Sequence, residues 1–200
     1  MLVEDSLVKG VFMYTRLKAI CPCRDSFKVI NLFGYASKSF PGVEVNGMGK
    51  YGKSLKEKFI YLSKEMGIKI PIKRIVLCIE DEDQLTELSN DEKAWIELPL
   101  LILFLSLIEH ISIGKLDDCF SMGKVSVVGN IIQFEMDIEQ FSDVLKINKM
   151  ENLKYICTNF LDVPHNLKII ELDKLINHTG KIKFLNESLE KVHLRKMSIV

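Results

Sequence analysis

A surplus of one charge is missing from this sequence: Lys and Arg total 27 and Asp and Glu total 27 over 200 residues. Without a surplus there is no long-range field to steer the chain toward nucleic acid or an anionic lipid surface, although a local basic patch is still allowed. Also missing is an apolar run long enough to cross a bilayer. The longest, Leu98 to Ile108, contains Pro99 and Ser106 and is closed by Glu97 on one side and Glu109-His110 on the other. A spanning helix needs about 20 apolar residues, so this run reads as a buried core helix. The opening MLVEDSLVKGVFMYTR has neither a basic segment nor an unbroken apolar one, and no secretory signal is expected. These absences predict a cytoplasmic protein with no membrane partner.

Cysteine is sparse and unpatterned. Cys21, Cys23, Cys78, Cys119 and Cys157 form an odd set with no repeated CxxC spacing, which argues against a disulfide framework and for a reducing compartment. Cys21-Pro22-Cys23 could supply half of a soft-metal site, but no second pair or nearby histidine completes four ligands, so no metal is expected. His110, His165, His178 and His193 are scattered over separate elements. The acidic run Glu80 to Asp83 has no glycine turn of the kind a calcium loop needs and reads as solvated. No cofactor is predicted.

Hydrophobic periodicity supplies the elements. Met13 to Ala19 and Phe27 to Leu32 read as two strands joined by a turn around Pro22 to Ser26. Val43-Glu44-Val45 is a short strand, after which Leu55, Phe59, Leu62 and Met66 follow helical spacing up to Gly67. Pro71 blocks renewal of that helix, and Lys73 to Ile79 is the strongest strand pattern in the chain. A polar loop from Glu80 to Asp91 leads to a long helix from Glu92 to His110. Cys119 to Val128 and Asn130 to Phe134 read as a hairpin around Gly129. Phe141, Val144 and Leu145 mark a helix, Leu153 to Cys157 and Leu167 to Ile170 two more strands, and Leu172 to His178 a short helix. The expected architecture is one α/β domain over residues 1–180, a mixed sheet with helices packed on one side, followed by a charged tail over 181–200.

Gly47-Met48-Gly49-Lys50-Tyr51-Gly52-Lys53-Ser54 matches the phosphate-loop pattern G-x-x-x-x-G-K-[ST] between a strand and a helix. On that alternative reading the glycine-loop N–H groups cradle phosphates, Gly47 and Gly52 give the loop its freedom, Lys53 meets the β and γ oxygens, and Ser54 reaches a magnesium ion. The strand before it argues otherwise: a phosphate-loop strand lies in a sheet covered on both faces and is apolar throughout, whereas Val43-Glu44-Val45-Asn46 is half polar. Lys50, Lys53, Lys56, Lys58 and Lys64 spread positive charge along the same helix, but Glu57 and Glu65 interrupt it, so nucleic-acid binding by this segment would be weak.

Three collinear stretches carry a family resemblance. Phe40 to Gly47, the helix to Gly67, and Ile70-Pro71-Ile72-Lys73-Arg74-Ile75 follow one another as a proline-glycine strand, glycine turn, helix, glycine, proline, arginine and strand. Asn90 to Leu100 opens a helix on Leu98-Pro99, and Met122-Gly123-Lys124-Val125-Ser126-Val127-Val128-Gly129 forms a hairpin. In this order they resemble the amino-terminal, Lon-protease-like domain of the magnesium-chelatase-related competence ATPases, the ComM or YifB family, with Glu97 in place of the family's aspartate and Lys124 and Val128 in place of two acids. The resemblance implies a Lon-like fold, similar to ribosomal protein S-five domain two, and a non-enzymatic accessory or assembly role without the family's ATPase. It places the serine of a Lon protease near Lys93 to Trp95 and its lysine at Ile138, where neither residue type stands. It implies a separate AAA-type ATPase or self-association as partner, DNA only indirectly, and no catalytic residue in this chain.

Overall fold

The computed structural model describes residues 11–23, 26–80, 82–112, 116–132, 134 and 138–147, and the backbone of 155–157, 168–170 and 182–183. Its frame is a mixed seven-stranded sheet. Two long antiparallel strands, β1 (Val11–Cys23) and β2 (Ser26–Ser37), pair along their whole length. Both outrun the expected spans, and Pro22 lies inside β1 opposite Phe27. It is tolerated there because β6 (Cys119–Ser121) pairs with β1 at Lys18 and Ala19, leaving Pro22 on a stretch where, among the described residues, no second neighbour asks for its missing N–H.

A strand, a helix and a strand complete this half: β3 (Gly42–Asn46), α1 (Gly49–Glu65) and β4 (Arg74–Ile79). β4 inserts between β2, to which it is antiparallel, and β3, to which it is parallel. Beyond β1 lie β6 (Cys119–Ser121), β9 (Tyr155–Cys157) and β10 (Lys168–Ile170), all parallel, so the spatial order is β10-β9-β6-β1-β2-β4-β3. Small ribbons are made by β7 (Lys124–Val125) with β8 (Ile131–Ile132), and by β5 (Ile111–Ser112) with β11 (Ile182–Lys183), the latter inside the stretch read as a tail. The helix expected over 172–178 lies outside the described residues, as do His165, His178 and His193.

Strand alternation sends Leu17, Ala19, Ile30, Leu32, Ile75 and Leu77 to one face, where α1 and α4 (Glu97–Leu107) cover them in the main core. Gly34 permits the close approach of α4, since a Cβ there would stand 2.7 Å from Leu107 Cδ1. The opposite face is covered too. Ile20, Val29 and Phe120 pack there with Phe141, Val144 and Leu145 of α5 (Ile138–Ile147). This corrects the expectation of helices on one side only. Ile20 points away from Leu17 and Ala19 because side chains alternate along a strand, and its apolar surface needs a cover of its own.

The long helix expected from Glu92 to His110 is broken into α3 (Asn90–Lys93), a 3₁₀ turn (Ala94–Ile96) and α4. Pro99 explains the break. An unbroken helix would need the N–H of residue 99 to donate to the Trp95 carbonyl, and proline has none. Gly123 N donates to Trp95 O instead at 3.1 Å, and Leu98 N donates to Gly123 O at 3.0 Å. The same contact splits the predicted Cys119 to Val128 strand into β6 and β7. Ser89 and Glu92 form a reciprocal capping box at the start of α3. Within the expected loop Glu80 to Asp91, a short helix α2 (Glu82–Thr86) carries the buried Leu85 and is followed by the buried Leu88. Two apolar residues three apart are too faint a period to mark a helix in sequence.

No helix among the described residues is long and apolar enough to cross a membrane. In α4 every residue but Ser106 is buried, so the helix carries no amphipathic stripe.

Candidate functional site

The best-built polar constellation surrounds Glu97, whose side chain is 5% exposed at the start of α4. Lys58 Nζ donates to its Oε2 at 2.7 Å, the Val125 backbone N–H donates to the same oxygen at 3.0 Å, and the Tyr51 hydroxyl donates to Oε1. Tyr51 and Lys58 stand seven residues apart on α1, two turns along one face. Burial and the neighbouring Glu97 push the Tyr51 hydroxyl well above its ordinary range, which keeps it a proton donor. One carboxylate therefore ties together α1, α4 and the β7–β8 hairpin. By sequence, Lys58 is one of the lysines that spread positive charge along α1. The structure turns it inward, with 19% of its side chain exposed, while Lys50, Lys53 and Lys64 stay in solvent and Lys56 pairs with Glu57 at 3.0 Å.

The phosphate-loop residues are arranged differently from what a phosphate cradle needs. The chain passes from β3 to α1 through Gly47 and Met48 alone, with Gly47 at φ 88°. Gly52, Lys53 and Ser54 are already helical, and Lys53 and Ser54 are exposed. A phosphate loop wraps its anion with several successive non-helical N–H groups, and two residues leave no room for that wrap. Gly52 has a packing reason instead: a Cβ there would stand 2.7 Å from the Val45 carbonyl oxygen, so glycine lets the first turn of α1 lie against β3. Gly52→Ala is expected to lower stability by about 1 to 3 kcal/mol through overpacking, despite alanine's better helix propensity. Lys53→Ala and Ser54→Ala stay within about 0.5 kcal/mol of the parent. Urea denaturation of the three variants checks the contrast.

No family model matches this chain, and no curated protein matches it in sequence.

Residues Lys93 to Trp95, where the resemblance puts a protease serine, lie across α3 and the 3₁₀ turn, and Ile138 begins α5. Trp95 belongs to a partly buried aromatic cluster. Its ring meets Phe134 edge-on at 5.2 Å, Phe134 meets Phe27 edge-on at 5.7 Å, and Lys124 Nζ lies 4.5 Å from the Trp95 ring centre while pairing with Asp91 at 2.6 Å. The Lys124 ammonium group is thus held between the Trp95 ring and the Asp91 carboxylate.

Cys21 and Cys23 are both buried, and Cys21 Sγ donates to the Glu92 carbonyl at 3.3 Å. Burial pushes the Cys21 thiol far up and the Cys23 thiol up as well, so both stay protonated and unreactive. Among the described residues, no three His, Cys, Asp or Glu side chains gather as a metal set. His110 follows α4, its Nε2 buried without a hydrogen-bond partner among the described residues, and burial holds its pKa below the usual 6.5.

Proposed function

We propose that this chain is a non-enzymatic accessory or assembly domain of the ComM type, with a Lon-like fold similar to ribosomal protein S-five domain two. It acts in the cytoplasm beside a separate AAA-type ATPase or through self-association, meets DNA only through that assembly, and spans no membrane. The observation that carries the reading is the β3–α1–β4 unit. The segments that resemble the family in sequence are the ones that build this unit, the α4 start and the Gly129 hairpin, and Glu97 of the second segment joins α1 of the first to Val125 of the third. Collinear motifs from three parts of the chain thus support one folded unit.

Isothermal calorimetry with Mg·ATP tests the reading on the parent chain and on Lys53→Ala. No binding heat is expected from either. Micromolar binding that disappears in Lys53→Ala would make the chain a small nucleotide-binding enzyme using Gly47, Gly52, Lys53 and Ser54, and would overturn the accessory role.

A further inference from the structure

Side chains alternate along β1 and β2, so the sheet face away from the main core receives Tyr14, Arg16 and Lys18 from β1 and Phe33 and Tyr35 from β2. α5 covers this face at Ile20 and Val29. Tyr14 lies about 20 Å further along β1, and among the described residues Tyr14, Phe33 and Tyr35 join neither apolar cluster. Tyr14 pairs in register with Tyr35, and Arg16 with Phe33, which sets three aromatic rings side by side on two central strands. The Tyr14 and Phe33 ring centres are 6.1 Å apart with planes 37° from parallel, and Tyr14 is 49% exposed. The Arg16 guanidinium donates to the Tyr14 hydroxyl and lies 5.2 Å from that ring's centre, with 59% of its side chain exposed. Lys18 donates to the Asn31 side-chain oxygen at 3.4 Å, a neutral acceptor, and makes no ion pair among the described residues. The acids stand at the rim: Glu80 is 3.6 Å from Arg16, Asp117 accepts from the Arg16 backbone N–H at 3.1 Å, and Glu44 is held by Arg74.

We propose that this face is a stacking platform for single-stranded nucleic acid, with unpaired bases on Tyr14, Phe33 and Tyr35 and backbone phosphates at Lys18 and Arg16. Two features select that occupant. Flat rings on a sheet face stack on bases of any sequence, provided that the bases are unpaired and their π faces free. On the same strand the rings are followed by two cations about 6.6 Å apart, which suit a chain of phosphates and would be stranded under an apolar protein surface. The guanidinium lying on Tyr14 adds a further flat surface for a base. A phosphate that reaches Arg16 displaces only the long surface pair with Glu80, a contact of little energy. The balanced net charge leaves the attraction local. The inference goes beyond the proposed accessory role, in which DNA is met only through the assembly, and either can fail alone.

The test is fluorescence anisotropy of the full chain with labelled oligo(U) and oligo(dT) of twelve nucleotides. Saturable binding to at least one is expected, and the ratio of the two affinities tells RNA from DNA. Tyr14→Leu/Phe33→Leu keeps the apolar bulk but removes two π faces, and should weaken binding about tenfold or more, with circular dichroism reporting that the fold is kept. Lys18→Gln supplies a measurement that does not depend on the rings: the slope of log affinity against log salt should fall by about one. No saturable binding to either oligomer overturns the proposal, as does binding undiminished in the double variant or a salt slope unchanged in Lys18→Gln. A duplex bound as tightly as the single strands overturns it too, because paired bases hide their faces and only charge would be at work. So does retention on immobilised maltohexaose that the double variant abolishes while neither oligomer binds, which would make the face a sugar platform.

Discussion

Lys58→Met is expected to destabilise the protein by about 3 to 5 kcal/mol, the cost of leaving a buried carboxylate without its counter-ion. The side chain of Glu97 is almost sealed from water, and its two oxygens are occupied by Lys58, Val125 N and Tyr51. Methionine fills much of the volume of the lysine stem but removes the charge, so the variant isolates electrostatics from packing. Lys58→Met/Glu97→Gln should recover most of the loss. A glutamine oxygen can still accept from Val125 N, its amide can donate to the Tyr51 oxygen, and no charge is stranded. Urea titrations of parent, single and double variants measure the coupling directly. A Lys58→Met variant within about 0.5 kcal/mol of the parent would show that the network does not hold α1, α4 and the hairpin together.

Phe59→Ala should cost about as much, roughly 3 to 5 kcal/mol, for a different reason. Phe59 and Phe104 are both fully buried, with ring centres 5.7 Å apart and planes 25° from parallel. They form a second contact between α1 and α4, beside the Glu97 network, within the core that covers the sheet. Truncation removes the ring's transfer energy and leaves a cavity that two rigid helices cannot close. Tyr61→Ala, two residues further along α1 at a half-exposed position, serves as the control and should move stability by well under half as much. The denaturation midpoint should fall in Phe59→Ala with little change in slope. A shallower slope would mean that the cavity loosens the native state itself.

The two variants probe parts of the molecule that differ in how openly the sequence displays them. Phe59 belongs to a helical period of Leu55, Phe59 and Leu62 that any reading of the chain finds, and the structure buries all three. Lys58 precedes it by one position and looks like one more surface lysine. Its partner is 39 residues away, and no local pattern connects them. The one hint was Glu97 itself, an acid directly preceding Leu98-Pro99 and an unusually apolar run. A charge placed there must either end the helix in solvent or find a cation inside, and only the fold chooses between these. The phosphate-loop pattern shows the converse. A glycine at position 52 has two physical explanations, freedom for an anion-binding loop or clearance for a packed helix, and they differ only in where the Val45 carbonyl lies.

By itself, the sequence determined what depends on residues within about one helical turn of each other. The paired opening strands, the helix stopped before Gly67 and the turn at Gly129, whose φ is 86°, all follow from side-chain period, proline and glycine. Tertiary structure alone decided the rest. It set β4 between β2 and β3, sent α5 to the face that Ile20 and Phe120 leave open, and broke the long helix where Gly123 supplies the hydrogen bond that Pro99 cannot. Each of these is a contact between segments tens of residues apart. Its free energy is a property of the pair, and neither segment carries a sign of it on its own.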